Sequence, residues 1–165
     1  MRALHFFAAI ELPEARAEAE DSVAEISAAA STDLNAVFAA SALNLMLGRP
    51  DRAREPARSF LRQQGVFSGF LTPAVPLRVV RFLAGDLEEE ELLREAPAGQ
   101  ARELSEHFVG LRHPARGDRA TARIHFRRSA EAAAGDSGTK AMSNHILRRM
   151  AEDPHWPPTI PPLHP

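Results

Sequence analysis

At 165 residues, 44% hydrophobic and 25% charged, the chain has the composition of one globular domain that can bury a core without staples. A formal net charge of −2 with interspersed acids and bases leaves no basic stripe for nucleic acid or an anionic membrane. Cysteine is absent, which excludes disulfides, thiol catalysis and cysteinyl zinc or iron–sulfur sites.

No run of about 18 apolar residues occurs, so no membrane span is expected. The opening MRALHFFAAI joins helical periodicity, and a cytoplasmic protein is expected; the alternative is export through a signal ending near Ala15-Arg16-Ala17. Lys140 is the only lysine among many arginines, a bias that points to a GC-rich bacterial coding sequence.

Residues 1 to 10 read as a short helix, and Ala15, Ala19, Val23, Ile26 and Ala30 step at helical spacing to about residue 31, with Pro13 in the first turn. Residues 34 to 47 are apolar almost all round, so an internal helix capped from Ser31-Thr32-Asp33 is expected. Gly48 to Asp51 turns the chain. The answering helix buries Ala53, Ala57, Phe60 and Leu61 and ends at Gly65, with Pro56 kinking it or delaying its start. Residues 65 to 72 are an apolar connector, a hint of an obligate partner. Leu77, Val80 and Leu83 carry the next helix to Gly85-Asp86. A short acidic helix follows, with Leu87, Leu92 and Leu93 inward and Glu88 to Glu91 as a solvated first turn.

From Gln100, Leu104, Phe108 and Leu111 form one helix face, and Ala122, Phe126, Ala130 and Ala133 form the face that covers it. Gly117 suits the left-handed end of the first helix and Asp118 the cap of the second, while small Gly110 and Ala122 let the two backbones approach. Met142, Ile146 and Met150 describe a capping helix over 139 to 151. The domain is drawn as 1 to 152, and the proline-rich stretch 153 to 165 as a flexible tail whose Trp156, Ile160 and Leu163 offer a means of self-occupancy.

Three turns align, at Gly48, Gly85 and Gly117, with spacings of 37 and 32 residues. These straddle the ~34-residue period of a helix–turn–helix repeat. Gly110, Gly117, Ala122 and Phe126, and more loosely Ser41, Gly48, Ala53 and Phe60, make residues 33 to 134 resemble the tetratricopeptide repeat family. The middle unit matches only around Gly85, Glu90 stands where the family prefers Ala, and Pro114 cuts one first helix short. A plain helical bundle is the alternative that periodicity alone allows.

The resemblance implies an all-α fold of helical hairpins stacked as a short right-handed solenoid with a C-terminal capping helix. It also implies binding through the concave surface of the first helices, which would carry Asn35, Phe38, Ala42 and Leu45, then Val75, Val79 and Phe82, then His107 and Leu111. Some family members clamp a peptide carboxylate there with basic and Asn side chains; Phe38 and Ala42 occupy such places here, so an apolar groove is expected instead. The implied function is a non-catalytic protein-interaction or assembly module binding a protein, a peptide or a second copy of itself. A peptide or small-ligand sensor is the first alternative, and a hydrolase using Ser137 and Lys140 is the second.

Two strings resemble catalytic motifs. Gly135-Asp136-Ser137-Gly138 lacks a β-rich scaffold, and the Ser-x-x-Lys of Ser137 to Lys140 lacks its companion elements; a capped helix start accounts for both. No His-Glu-x-x-His occurs, and His107 and His113 are six apart, so neither metal nor cofactor is expected and His125 and His145 read as surface or interface residues. Arg116, Arg119, Arg123, Arg127 and Arg128 form a local basic patch.

Overall fold

A computed structural model describes residues 25–28, 30, 32–66, 74–133, 135–153 and 155–157. The expectations for the first 24 residues, the 67 to 72 part of the connector, Ile160 and Leu163 lie outside them. Among the described residues all regular structure is helical. The helices are α1 (Leu34–Met46), α2 (Pro50–Val66), α3 (Ala74–Ala84), α4 (Glu89–Arg94), α5 (Gln100–Arg112), α6 (Arg119–Ala132) and α7 (Gly138–Glu152), with a 3-10 turn at Pro114–Arg116. None is long and apolar enough to cross a membrane.

The starts of α1, α2, α6 and α7 have local causes. Asp33 caps α1 by accepting from the Asn35 N–H at 2.9 Å. Gly48 at φ 68° turns the chain into α2, which begins at Pro50 and runs through Pro56, so the internal proline does not delay the start. Gly117 at φ 83° closes the 3-10 turn, and Asp118 Oδ1 accepts from the Thr121 N–H at 3.0 Å to start α6. Ser137 caps α7 through the Lys140 N–H at 2.9 Å.

Consecutive helices pack as hairpins, and α5 touches α1, α3, α4, α6 and α7, which makes it the centre of a helical bundle. The α5–α6 contact is close because of Gly110: a Cβ there would lie 2.9 Å from the Phe126 ring. The core runs from Val37 and Leu43 through Phe60, Val79, Phe82 and Leu111 to Phe126, Ile146 and Met150. Ser41 Oγ donates to the Ala53 carbonyl at 2.9 Å across α1 and α2, and Arg58 Nε to the Ala84 carbonyl at 3.1 Å across α2 and α3. Arg78 ties α3 to α4 through Glu95 at 2.7 Å.

The inward face of α6 differs from the expected one. It consists of Ala122, His125, Phe126 and Ser129, with Ala130 and Ala133 only half-buried. The side turned toward α5 meets polar groups there, because Glu103, Ser105, Glu106 and His107 of α5 are themselves buried. The tail also differs. Trp156 is 2% exposed, and Arg119 donates to the Trp156 and His155 carbonyls, each at 3.2 Å, so packing continues past residue 152 to Pro157.

Candidate functional site

A cavity of about 420 Å³ opens between α1, α5 and the start of α7. Leu34, Phe38, Ala42 and Leu43 of α1, Leu104 and Phe108 of α5, and Met142 of α7 supply its apolar wall. The Phe38 and Phe108 rings pack against each other with centroids 5.0 Å apart. Asn35, Gln100, His107 and Thr139 set a few polar groups in that wall.

Four of the expected groove residues, Asn35, Phe38, Ala42 and His107, therefore meet at one cavity. The others do not. Leu45 borders a separate cleft of about 100 Å³ with Arg54 and Arg112. Val79, Phe82 and Leu111 are at most 1% exposed, because α3 packs directly on α5 and their faces cover each other. Phe82 lies beneath the Arg112 guanidinium, 4.6 Å from its ring centre. The α7 side of the cavity, Thr139 and Met142, belongs to the helix whose spacing describes only a cap. Trp156 is not among the residues lining it, so self-occupancy of the cavity by that side chain is not seen.

His107 is held from behind. Ser129 Oγ donates to the Glu103 carbonyl at 2.9 Å, and Ser143 Oγ donates to Ser129 Oγ at 3.0 Å. With its hydrogen committed, Ser143 Oγ accepts from His107 Nδ1 at 2.8 Å, which fixes the proton on Nδ1 and leaves Nε2 as the ring's acceptor. Burial pushes the imidazole down to about 4, so it is neutral at pH 7. Its ring stands edge-on to Phe108 and Phe126, with centroids 5.5 and 5.7 Å away.

A second polar cluster lies around α4, α5 and α6. The Glu106 carboxylate is fully buried; Oε1 accepts from Arg102 at 2.6 and 2.8 Å, and Oε2 from His125 Nδ1 at 2.7 Å. Burial alone would raise the Glu106 carboxyl, but the His125 hydrogen bond and the Arg102 charge outweigh it and hold the group below its ordinary value. His125 is thus buried within the α5–α6 contact, where surface or interface was expected. Its other nitrogen faces Glu89, which also meets His113, so the first turn of α4 is not merely solvated.

Ser137 Oγ accepts from the Lys140 N–H and donates to Glu103 Oε1, while Lys140 Nζ lies 4.0 Å from Asp136. The hydroxyl is used as a helix cap. Of the basic patch, Arg116, Arg123, Arg127 and Arg128 are exposed, whereas Arg119 is engaged by the tail. No protein-family model matches the chain, and no curated protein or solved structure matches it significantly.

Proposed function

We propose that the protein is a non-catalytic binding module that seats an apolar segment of a partner protein in the cavity between α1, α5 and α7. The cavity carries this reading: its wall is mainly apolar, and Asn35, Gln100, His107 and Thr139 offer the few polar contacts that orient a ligand. His107 contributes a neutral ring with a fixed tautomer, a recognition element rather than a charge. The tetratricopeptide-like reading belongs here as well. It is supported by the left-handed glycines at all three aligned turns, Gly48, Gly85 and Gly117, at φ 68°, 88° and 83°. A short solenoid acting in the bacterial cytoplasm is the setting we favour for such a module.

A second reading rests on volume. About 420 Å³ falls within the ~300–1,000 Å³ of small-molecule sites, so a peptide or small apolar ligand fits the same walls. Ala39 lines the cavity and is half-buried, which makes Ala39→Phe a filler that keeps α1 helical. A photo-crosslinking residue at exposed Asn35 should capture the occupant in the native host, and Ala39→Phe should abolish capture. A protein adduct supports the module and a small-molecule adduct the sensor; capture unaffected by Ala39→Phe would place binding elsewhere.

A further inference from the structure

Glu89, His113 and His125 come from three separate elements, yet their ligand atoms lie within 4.8 Å of one another. Glu89 Oε2 is 3.1 Å from His113 Nε2 and Glu89 Oε1 is 3.4 Å from His125 Nε2. Two ligands each about 2.0–2.2 Å from a tetrahedral zinc ion are separated by roughly 3.3–3.5 Å, so both carboxylate–imidazole distances already approximate a coordination edge.

What decides the chemistry is the other side of each ring. His125 Nδ1 is 2.7 Å from Glu106 Oε2, and His113 Nδ1 is 3.4 Å from Asp118 Oδ2. Each imidazole therefore stands between two carboxylates, which only accept hydrogen bonds. A neutral imidazole has one N–H, so it satisfies one carboxylate and turns a lone pair toward the other. If both rings are protonated instead, two cations lie nearly parallel, at 9° with centroids 5.2 Å apart. A dication between the two Nε2 atoms and Glu89 removes both difficulties. The Nδ1–H groups then donate to Glu106 and Asp118, the arrangement by which carboxylates orient metal-bound histidines.

We propose that Glu89, His113 Nε2 and His125 Nε2 bind a divalent first-row transition ion of the zinc class, with Glu106 and Asp118 as positioning residues. Two imidazoles and one carboxylate favour such an ion over magnesium or calcium, which select all-oxygen sites. Charge balances as well: the ion, with Arg102 on Glu106, offsets three carboxylates. The two nitrogens must close by no more than roughly 1.5 Å to reach a tetrahedral edge, with one ring tipping out of the parallel pair. His113 is the ring with room to do so, since its side chain is 15% exposed against 6% for His125. Access is available beside α4, where a shallow depression of about 800 Å³ reaches Glu89 and His125. The bound ion would staple α4, a helix of one and a half turns, onto the α5–α6 hairpin, and a fourth position would face solvent.

The test is zinc binding to the full chain, read by competition with a chromophoric chelator and by the visible absorption of the cobalt(II)-substituted protein. Wild type should bind one equivalent, with cobalt giving a four-coordinate spectrum. Glu89→Gln and His113→Asn should each lower affinity at least tenfold, while retaining wild-type circular dichroism. Asp118→Asn keeps a good N-cap but removes the carboxylate behind His113, so it should fold normally and bind about 10–100-fold more weakly. Failure of wild type to bind zinc overturns the proposal. So does undiminished binding in both folded Glu89→Gln and His113→Asn, which would place the ion on other histidines.

Discussion

Acidification between pH 6.5 and 4 should destabilise this protein through His107. The ring is 2% exposed, donates to Ser143, and is held at about 4 against an ordinary 6.5. That difference corresponds to about 3 kcal/mol of resistance to charging the folded protein. The folded state favours the neutral ring, so this stability is fully present above pH 6.5 and is lost as pH falls toward 4. In that window the unfolded chain binds the proton and the folded chain does not, and stability should drop by up to about 1.4 kcal/mol per pH unit. The Glu106 contribution, from a depressed carboxyl, is lost only below the ordinary carboxylate range. His107→Asn keeps a donor near Ser143 while removing the titration. The variant should be less stable at pH 7 by about 1–3 kcal/mol, having lost a packed ring. The gap between wild type and variant should then narrow steadily from pH 6.5 to 4. Urea denaturation at half-unit pH steps measures this directly, and two parallel stability curves would refute the reasoning.

Two packing features give independent checks. Gly110→Ala places a methyl 2.9 Å from the fully buried Phe126 ring, and overpacking of about 1–3 kcal/mol should exceed the ~1 kcal/mol gained in helix propensity, lowering Tm by a few degrees. Ala122, also fully buried, should respond more severely to Ala122→Leu, with loss of helicity in the C-terminal half by circular dichroism; unchanged melting would count against the α5–α6 pairing. The single tryptophan, Trp156, should emit as a buried indole shielded from iodide, and Arg119→Ala should shift its emission toward longer wavelength by freeing the tail. Emission like that of free indole in the wild type would contradict the docked tail.

Apolar periodicity made the helices legible, since Leu34–Met46, the Gly117-Asp118 turn and a close approach at small Gly110 follow from side-chain spacing and size, while the ring that Gly110 admits, Phe126, is seen only in the structure. Four of the thirteen residues lining the cavity were legible as groove residues, among them Phe38 and Ala42, apolar positions on the nearly all-apolar helix α1. What escaped was polar. His125 and Ser129 occupy inward positions beside Ala122 and Phe126, but a reading that counts apolar residues passes over them and continues to Ala130. Glu103 and Glu106 escaped likewise, although polar residues at inward positions on both arms of one hairpin are a signal for buried pairing. Glu89 could not be placed, because its approach to His113 and His125 depends on how α4 docks, which Arg78 and Arg102 decide through the backbone carbonyls of Glu91 and Leu93.

The buried Glu106–His125 pair sets the register of α5 against α6, and this can be tested apart from stability. Sliding α6 by one turn would bring Thr121 or Ser129 opposite Glu106 in place of His125 and break the buried pair, so the alternatives are penalised. Breaking the pair with Glu106→Leu alone should cost about 3–5 kcal/mol, because His125 loses its buried partner while Arg102, one-third exposed, turns to solvent. Replacing both with leucine removes the desolvation penalty of each and should restore most of that loss or exceed it. The double variant should also lose specificity, since neighbouring apolar registers then compete. Near-UV circular dichroism and amide dispersion in chelator-treated samples should therefore broaden even where urea stability recovers. A double variant that is both stable and as sharply dispersed as the wild type would show that Gly110 beneath Phe126 fixes the register without the polar pair.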